Sequence, residues 1–492
     1  MVSFISFLPE IFFFCSVTVV FLYSIINSLS SVLKYPLLYN NAIYLSIVSL
    51  VYTLVLFINS NTYYYEYTLM YKTQNNLMFS ELFIIISVII LLVTRSYNNN
   101  NNIMHFEYII FLLISLGSVF VFINVLNLIL IYIILELQSI LISIIISIKK
   151  FSRYSIEASI KYFVLGSFSS LILLFGVSII YGSTGMLSVS EINLFFEYIG
   201  EVQNTLVSTS IKIASIFILV GLLFKVYSAP FHFWLPDIYE GTPTSVLVYI
   251  STVQLLVMVL FFIKIYYYVL FDIIKFKQVI VSFISALTLL FGSVGALLQV
   301  KIKKLISYSA VTMNGFFLYS IVNNNTFLLE ANVIYILVYV FTILLLFALL
   351  LNMFINVGSV VKVKDLLNVY NNNKLISGIF TILLFSISGI PPFIGFITKL
   401  FWLKSLLLEY SVFAFLLILV FLMVSYYYIR LLKNVYYLLD YKHASVSYLL
   451  KLRYETCVCV TFLQVTLFFV VFNSSLVTNF VKIWIMQLLS FM

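Results

Sequence analysis

The chain has 492 residues, of which 63% are hydrophobic, 18% aromatic and only 9% charged, with a mean hydropathy of +1.16. Soluble domains carry roughly 25% charged and 45–50% apolar residues, so a soluble enzyme, a secreted disulfide scaffold and a nucleic-acid-binding domain are excluded. The net charge of +9, from 26 Lys and Arg against 17 Asp and Glu, reads first as a membrane-orientation signal.

At about 20–22 apolar residues per crossing, the hydrophobic residues fill roughly 14 helices. The predicted fold is therefore all-α and polytopic. Apolar runs bounded by polar clusters place segments 1–14 at 7–29, 41–59, 77–96, 103–123, 126–148, 154–181, 208–234, 244–270, 278–299, 304–322, 330–356, 374–407, 410–432 and 455–473. The stretch 475–492 is short and reads as a surface tail. No Lys or Arg precedes Lys34, so neither a secretory signal nor an Arg-rich presequence is expected. Phe (49), Tyr (37) and the Asn runs at 98–102, 323–325 and 371–373 are residues with AT-rich codons, the bias of an AT-rich organellar gene.

Charge tests this segmentation. The odd-numbered connections hold Lys34, Arg95, Lys149, Lys150, Arg153, Lys301, Lys303, Lys304, Lys362, Lys364, Lys374, Arg430, Lys433, Lys442, Lys451 and Arg453. The even-numbered ones hold Lys72, Lys275 and Lys277, with Lys212 at a helix start. One face is thus cytoplasm or matrix, and both termini lie on the other. Two segments are interrupted, the seventh by Ser228-Ala229-Pro230 and the twelfth by Gly389-Ile390-Pro391-Pro392. Proline removes a backbone donor and clashes with the preceding turn, so both should break mid-membrane. A pair of broken helices in corresponding halves is the pointer to an inverted-repeat transporter. The division is 1–102 for segments 1–3, 103–270 for the first repeat (segments 4–8), 278–433 for the second (segments 9–13) and 434–492 for segment 14 and the tail.

Ionisable residues inside apolar helices need a partner, water or a task. Glu136 lies near the middle of segment 5, too far from either end to snorkel. Glu157 and Lys161 open segment 6 at i, i+4 spacing and can pair. Lys225 precedes the break in segment 7, and Lys399 follows the break in segment 12. Lys264 and Lys404 lie nearer helix ends, where snorkelling accounts for them. Glu81 and Glu107 near helix starts read as interfacial. Desolvation and neighbouring charge push buried Lys and Glu in opposing senses, so alternating Glu and Lys can hand protons along. The competing reading is a set of buried ion pairs that fix packing. Cys15, Cys457 and Cys459 lack metal-site spacing, and His105, His232 and His443 are too few for haem or copper sites.

Four stretches carry a resemblance: residues 136–185 (ELQSILISIIISIKKFSRYSIEASIKYFVLG…), 221–244 (GLLFKVYSAPFHFWLPDIYEGTPT), 292–316 (GSVGALLQVKIKKLISYSAVTMNGF) and 387–403 (ISGIPPFIGFITKLFWL). They resemble, in order, the antiporter-like membrane subunits of respiratory complex I, over segments 5–12. Within that family they are most similar to the subunit 2 branch, the bacterial subunit N type. Lys399 stands where subunit 4 types carry Glu, and the long lateral helix of subunit 5 is not expected. The resemblance implies proton translocation driven by NADH oxidation elsewhere in the complex. It makes Glu136 the segment 5 glutamate, Glu157 and Lys161 the segment 6 pair, Lys225 the central lysine and Lys399 the exit-side lysine. His232 falls in the family's PFH motif, linking the path or capping freed backbone. Asp237 and Glu240 are assigned to a solvated turn on the positive face.

The family's segment 8 lysine is missing. Leu255 holds its place, with Gln254 beside it, and Gln254 with water, Lys264 or Tyr308 could stand in. Met313 occupies a position where bacterial relatives often have histidine, leaving Tyr308, Ser309 and Thr312 as the polar groups of segment 10. The resemblance implies no cofactor in this chain: NADH, FMN, iron–sulfur clusters and ubiquinone belong to partner subunits. Expected partners are other membrane-arm subunits, small accessory subunits and lipids, with no nucleic acid. The expected location is the mitochondrial inner membrane, with both termini on the intermembrane-space side. Two alternatives stay open: a subunit of a multisubunit cation/proton antiporter, and a non-pumping scaffold in the membrane arm.

Overall fold

The computed structural model describes residues 7–28, 35–60, 65–66, 71–72, 74–101, 103–189, 191–192, 195, 205–266, 275–322, 326–357, 362–366, 369–407, 411–436, 453–473 and 477–482. His443 and most of the 475–492 stretch lie outside them. The helices are α1 (Leu8–Ser28), α2 (Tyr35–Asn59), α3 (Gln74–Asn100), α4 (Phe106–Asn124), α5 (Leu128–Ile146), α6 (Arg153–Thr184), α7 (Thr205–Lys225) and α8 (Trp234–Gly241). They continue as α9 (Thr244–Ile265), α10 (Lys275–Leu297), α11 (Ile302–Val322), α12 (Thr326–Val357), α13 (Lys374–Ser388), α14 (Ile394–Leu407), α15 (Ser411–Tyr436) and α16 (Tyr454–Phe472). The architecture is all-α. Among the described residues the one small exception is a two-stranded antiparallel ribbon, β1 (Tyr65–Glu66) and β2 (Tyr71–Lys72), with Tyr65 opposite Lys72.

Among the described residues, 10 helices are long and apolar enough to cross a membrane. The remainder fall short for local reasons. Segment 12 is divided into α13 and α14, of 15 and 14 residues, and α11 opens on Lys303 and Lys304. α2 starts six residues before the predicted segment 2, because Pro36 sits in its first turn, where no backbone donor is needed. The largest departure is in segment 7. The predicted helix to 234 ends at Lys225, and the chain runs unwound through Val226–Phe233 before α8.

Side-chain chemistry sets the ends. Asn127 caps α5, its Oδ1 accepting from Ile129 and Leu130 N–H at 3.0 and 3.5 Å. Asn373 caps α13 in the same way through Leu375 and Ile376, at 3.0 and 3.2 Å. α9 and α12 form the centre of the bundle, apolar and buried nearly all round, as expected of core helices. α1, α6 and α15 turn large apolar faces outward. Close helix approaches fall at glycine: a Cβ on Gly221 would meet Ser169 and Leu173 of α6, and one on Gly292 would lie 2.7 Å from the Thr312 side chain.

The basic connections meet at one end of the bundle. Arg95 near the end of α3 pairs with Glu455 of α16, and Arg453 donates to Asn100 at 3.3 Å. Lys301 and Lys304 at the start of α11 pair with Glu240 of α8, and Arg430 of α15 donates to the Leu297 carbonyl at 3.1 Å. The opposite end carries a different polar set, in which Asn124 bridges Glu10 and Asn76.

Candidate functional site

Segment 7 unwinds because its sequence cannot keep the helical ladder. Pro230 has no N–H to give, and the freed carbonyls find other donors. The Leu223 carbonyl accepts from Ser228 N–H at 3.1 Å and from Ser228 Oγ at 2.8 Å. The Val226 carbonyl accepts from Asn314 Nδ2 of α11 at 2.6 Å. Tyr227 takes φ +59°, the one non-glycine residue with positive φ among the described residues. Such a backbone is costly for a bulky residue and persists where surrounding packing over-determines it. Here the Tyr227 ring lies edge-on to Trp234 at 4.9 Å between centroids.

Lys225 is the last residue of α7 before this break. It is 5% exposed, and its Nζ has no hydrogen-bond partner among the described residues. Glu136 of α5 is the acidic side chain that acts on it electrostatically. The Glu136 carboxylate is half-buried and accepts from Ser170 Oγ of α6 at 2.6 Å. A buried ammonium without a fixed partner, facing a carboxylate held by a hydroxyl, is a charge arrangement whose energy depends strongly on where the protons sit.

At the second break the arrangement differs. α13 ends at Gly389 with φ +78°, and Lys399 of α14 folds back over it. Its Nζ donates to the carbonyls of Ser388 and Ile387 at 2.6 and 3.3 Å and lies 5.0 Å from the centre of the Phe421 ring. The ammonium thus satisfies the negative end of the half-helix. Lys225 has no corresponding bond. Asn314 and Ser228 serve the carbonyls at its break.

The other predicted residues divide. Glu157 and Lys161 pair at 2.7 Å, and Lys161 also reaches Asp237 at 3.1 Å. Asp237, which is exposed, and Glu240, which is half-buried, lie on a helix rather than in a turn, and both are ion-paired. One helical turn apart on α8, they pair with Lys304 at 3.5 and 2.9 Å, and Glu240 also pairs with Lys301. The reason is tertiary: α8 lies against both α6 and α11. Burial pushes the Glu240 carboxyl up, but the bonds from Lys301 and Lys304 outweigh it and hold it below the usual value.

His232 is buried against Phe233, Phe291 and Tyr308, and its Nδ1 has no partner among the described residues. The carbonyls freed at the break are met by other residues, and His232 caps none of those described above. Tyr308 packs on Gly295. Leu255 is buried, and Gln254 before it is buried with Nε2 unpartnered, at the end of a π-helical turn Ile250–Gln254 within α9. Lys264 points to the end of α4, where it donates to the carbonyls of Phe122, at 3.1 Å, and Ile123. That engagement takes it away from the place of the missing lysine. Lys404 is exposed. Sequence reasoning missed Ser170, Asn314 and Tyr227. The available signal was a polar residue within an apolar run, and it was strongest for Asn314. Among the described residues no group of three or more His, Cys, Asp or Glu could hold a metal ion.

Comparisons with known proteins decide the family. The profile described as "NADH:quinone oxidoreductase/Mrp antiporter, TM" matches residues 125–425. The chain belongs to that family. It is 35% identical over 331 residues to NADH-quinone oxidoreductase subunit N of Wolbachia sp. subsp. Brugia malayi, covering 67% of this chain and 69% of the relative. It is 30% identical over 443 residues to NADH-ubiquinone oxidoreductase chain 2 of Marchantia polymorpha, covering 88% and 89%. In structure it matches a chain of respiratory complex I from Thermus thermophilus with TM-score 0.74 and 22% identity, over 94% of this chain and 98% of that one. It matches a chain of the Mrp complex from Dietzia sp. with TM-score 0.76 and 16% identity, over 97% and 96%. Both structural likenesses concern the fold. Within the family, the chain is an antiporter-like, multi-pass membrane subunit of the subunit N and chain 2 type.

Proposed function

We propose that this chain is a proton-translocating membrane-arm subunit of NADH:ubiquinone oxidoreductase, moving protons along a buried axis of Glu136, Lys225 and Lys399 while electron transfer proceeds in partner subunits. The observation that carries the reading is Lys225: a buried lysine without a hydrogen-bond partner, at the end of a broken helix, acted on by Glu136. A structural ion pair would have closed into direct bonds, as Lys301, Lys304 and Glu240 do. While Glu136 is ionised it supports the ammonium of Lys225. Protonation of Glu136 removes that support and frees the lysine proton to move on. The cluster of Glu157, Lys161 and Asp237 lies towards the basic end and serves as the antechamber of this pair. At the far break, the Lys399 ammonium can give up a proton only by weakening its bonds to Ser388 and Ile387.

The reading includes the two inverted repeats, 103–270 and 278–433, flanked by 1–102 and 434–492. It places the chain in the mitochondrial inner membrane, encoded in the organelle, with both termini on the intermembrane-space side. The chain 2 relatives support that location, and the basic residues gathered at one end support that orientation. Neighbouring membrane-arm subunits, accessory subunits and lipids cover the outward apolar faces, and NADH, flavin, iron–sulfur clusters and ubiquinone are held by partner chains. Leu255 favours a second reading, a scaffold that no longer pumps. One experiment separates them. In assembled complex reconstituted in sealed vesicles, Lys225→Met should lower the ratio of protons moved to electrons transferred. An unchanged ratio, with the complex at normal abundance, makes the scaffold the answer.

A further inference from the structure

The axis has a gap. Lys225 and Lys399 sit at two separate breaks, and the central helix α9 offers Gln254 and Leu255 where the family's lysine would stand. Around this gap the fold gathers buried hydroxyl groups that none of the roles above uses. Tyr162 of α6 and Tyr227 of the break face each other, and Tyr239 of α8 lies within electrostatic reach of both Tyr227 and Tyr339 of α12. Tyr339 meets Ser309 of α11 at 3.0 Å between oxygens. Tyr428 of α15 lies beside Ser309 and Tyr427, and Tyr427 faces Thr312. All eight side chains are buried.

Two details distinguish this layer from ordinary packing. Ser309 Oγ has one hydrogen and lies 2.7 Å from the Ile306 carbonyl and 3.0 Å from the Tyr339 hydroxyl, so either oxygen of the pair can donate: Tyr339 does when the serine hydrogen is on the Ile306 carbonyl. Rotation of Ser309 towards Tyr339 reverses that polarity, with the Ile306 carbonyl left to its helical partner. The Tyr428 hydroxyl is buried with no hydrogen-bond partner among the described residues. A buried hydroxyl without a partner is costly to keep, and this one stands next to a reversible pair. By the helical rise of 1.5 Å per residue, Ser309, Tyr162 and Tyr427 lie at similar depth, roughly 10–14 Å from the basic ends of α11, α6 and α15. Tyr427 is also about 9 Å along α15 from Phe421, whose ring faces Lys399.

We propose that protons cross between the two broken helices through this hydroxyl layer, with Tyr339, Ser309 and Tyr428 as central carriers in place of a lysine on α9. The inference rests on the proton-translocating reading above. In each step an oxygen lone pair accepts a proton as that group's own O–H bond breaks towards the next oxygen. No hydroxyl stays charged, and rotation resets the chain. Water bridges the hydroxyls that are not in direct hydrogen-bond contact, Tyr428 among them, and completes the two ends, towards Lys225 and towards Lys399.

The test uses the assembled complex in sealed vesicles and the variants Tyr339→Phe, Tyr428→Phe, Ser309→Ala and Ser309→Thr. Each phenylalanine removes one oxygen and keeps the ring. The ratio of protons to electrons should fall in both, and in Ser309→Ala, by the share that Lys225→Met removes. Ser309→Thr keeps the hydroxyl and should recover part of the ratio that Ser309→Ala loses. A merely structural role would instead lower the abundance of complex and leave the ratio of the surviving complex unchanged. If Lys225→Met lowers the ratio and the phenylalanine and alanine variants all pump at the parent ratio, the hydroxyl route is wrong and the Glu/Lys reading stands. If Lys225→Met also leaves the ratio unchanged, both fall together.

Discussion

Gly389→Ala should disable Lys399 without touching its charge. The glycine has φ +78°, and the space where a Cβ would lie is filled by the lysine: an added methyl would sit 2.6 Å from Lys399 Cδ and 2.8 Å from its Nζ. Ordinary contact begins at 3.4 Å, so the side chain must retreat by about 0.8 Å (3.4 − 2.6). For Nζ, 2.8 Å from the methyl, the retreat is about 0.6 Å, which stretches the 2.6 Å bond to Ser388 to about 3.2 Å and carries the 3.3 Å bond to Ile387 to about 3.9 Å, out of range. Loss of a bond from a charged donor costs about 1.5–3 kcal/mol, and an alanine in the left-handed region costs roughly 1–2 kcal/mol more. The break is then destabilised by about 2.5–5 kcal/mol, with the buried ammonium left to find water. Gly378, on the same helix, has nothing within 4 Å of its missing Cβ. Gly378→Ala should therefore be neutral, or stabilising by up to about 1 kcal/mol through helix propensity. The assay is the abundance of intact complex on a native gel, followed by the proton-to-electron ratio of what assembles. Gly389→Ala should be low on the first and reduced on the second, and Gly378→Ala normal on both. Equal behaviour of the two variants would refute the view that Lys399 depends on the shape of the α13 terminus.

Two further outcomes follow from the same geometry. Asn314→Leu leaves the Val226 carbonyl buried without its donor, a loss of about 1–3 kcal/mol. Its complex should dissociate at lower temperature than the parent when warmed in mild detergent, and Asn314→Asp, with an acceptor in the donor's place, should do no better. At the basic end, Glu240 is held below its usual value by Lys301 and Lys304. Its contribution is present above the ordinary carboxylate value and is lost as pH falls through the depressed one. Acid dissociation of the complex should therefore be shallower in Glu240→Gln than in the parent, and parallel curves would show that these ion pairs do not hold α8.

Much of the site was legible along the chain, and what was missed has a common cause. Glu136, Lys225 and Lys399 stood out because an ionisable residue in an apolar run is costly wherever it points. Their partners did not stand out. Ser170, which holds Glu136, is one serine among many, and Asn314 matters because α11 crosses the break in segment 7 at that residue. Asp237 and Glu240 read as solvated because they sit in a polar stretch, yet Lys161, 76 residues away, and Lys304 reach them from two other helices. Lys264 read as a possible substitute carrier, and its direction was settled by the end of α4.

The sequence by itself determined the membrane class, the run of apolar segments, the side on which the basic residues gather, and the two breaks. Each depends on local quantities: the apolar length needed to cross a bilayer, the charge between crossings, and proline's missing donor. Only the tertiary structure decided how the breaks are used. Lys399 binds the terminus of its own broken segment, whereas Lys225 stays unpaired while Asn314 and Ser228 serve the carbonyls beside it. That difference comes from which helices pack against each break. Burial removes water as an alternative partner, so whichever donor a neighbouring helix brings within reach takes the carbonyl, and spacing along one chain does not encode that neighbour.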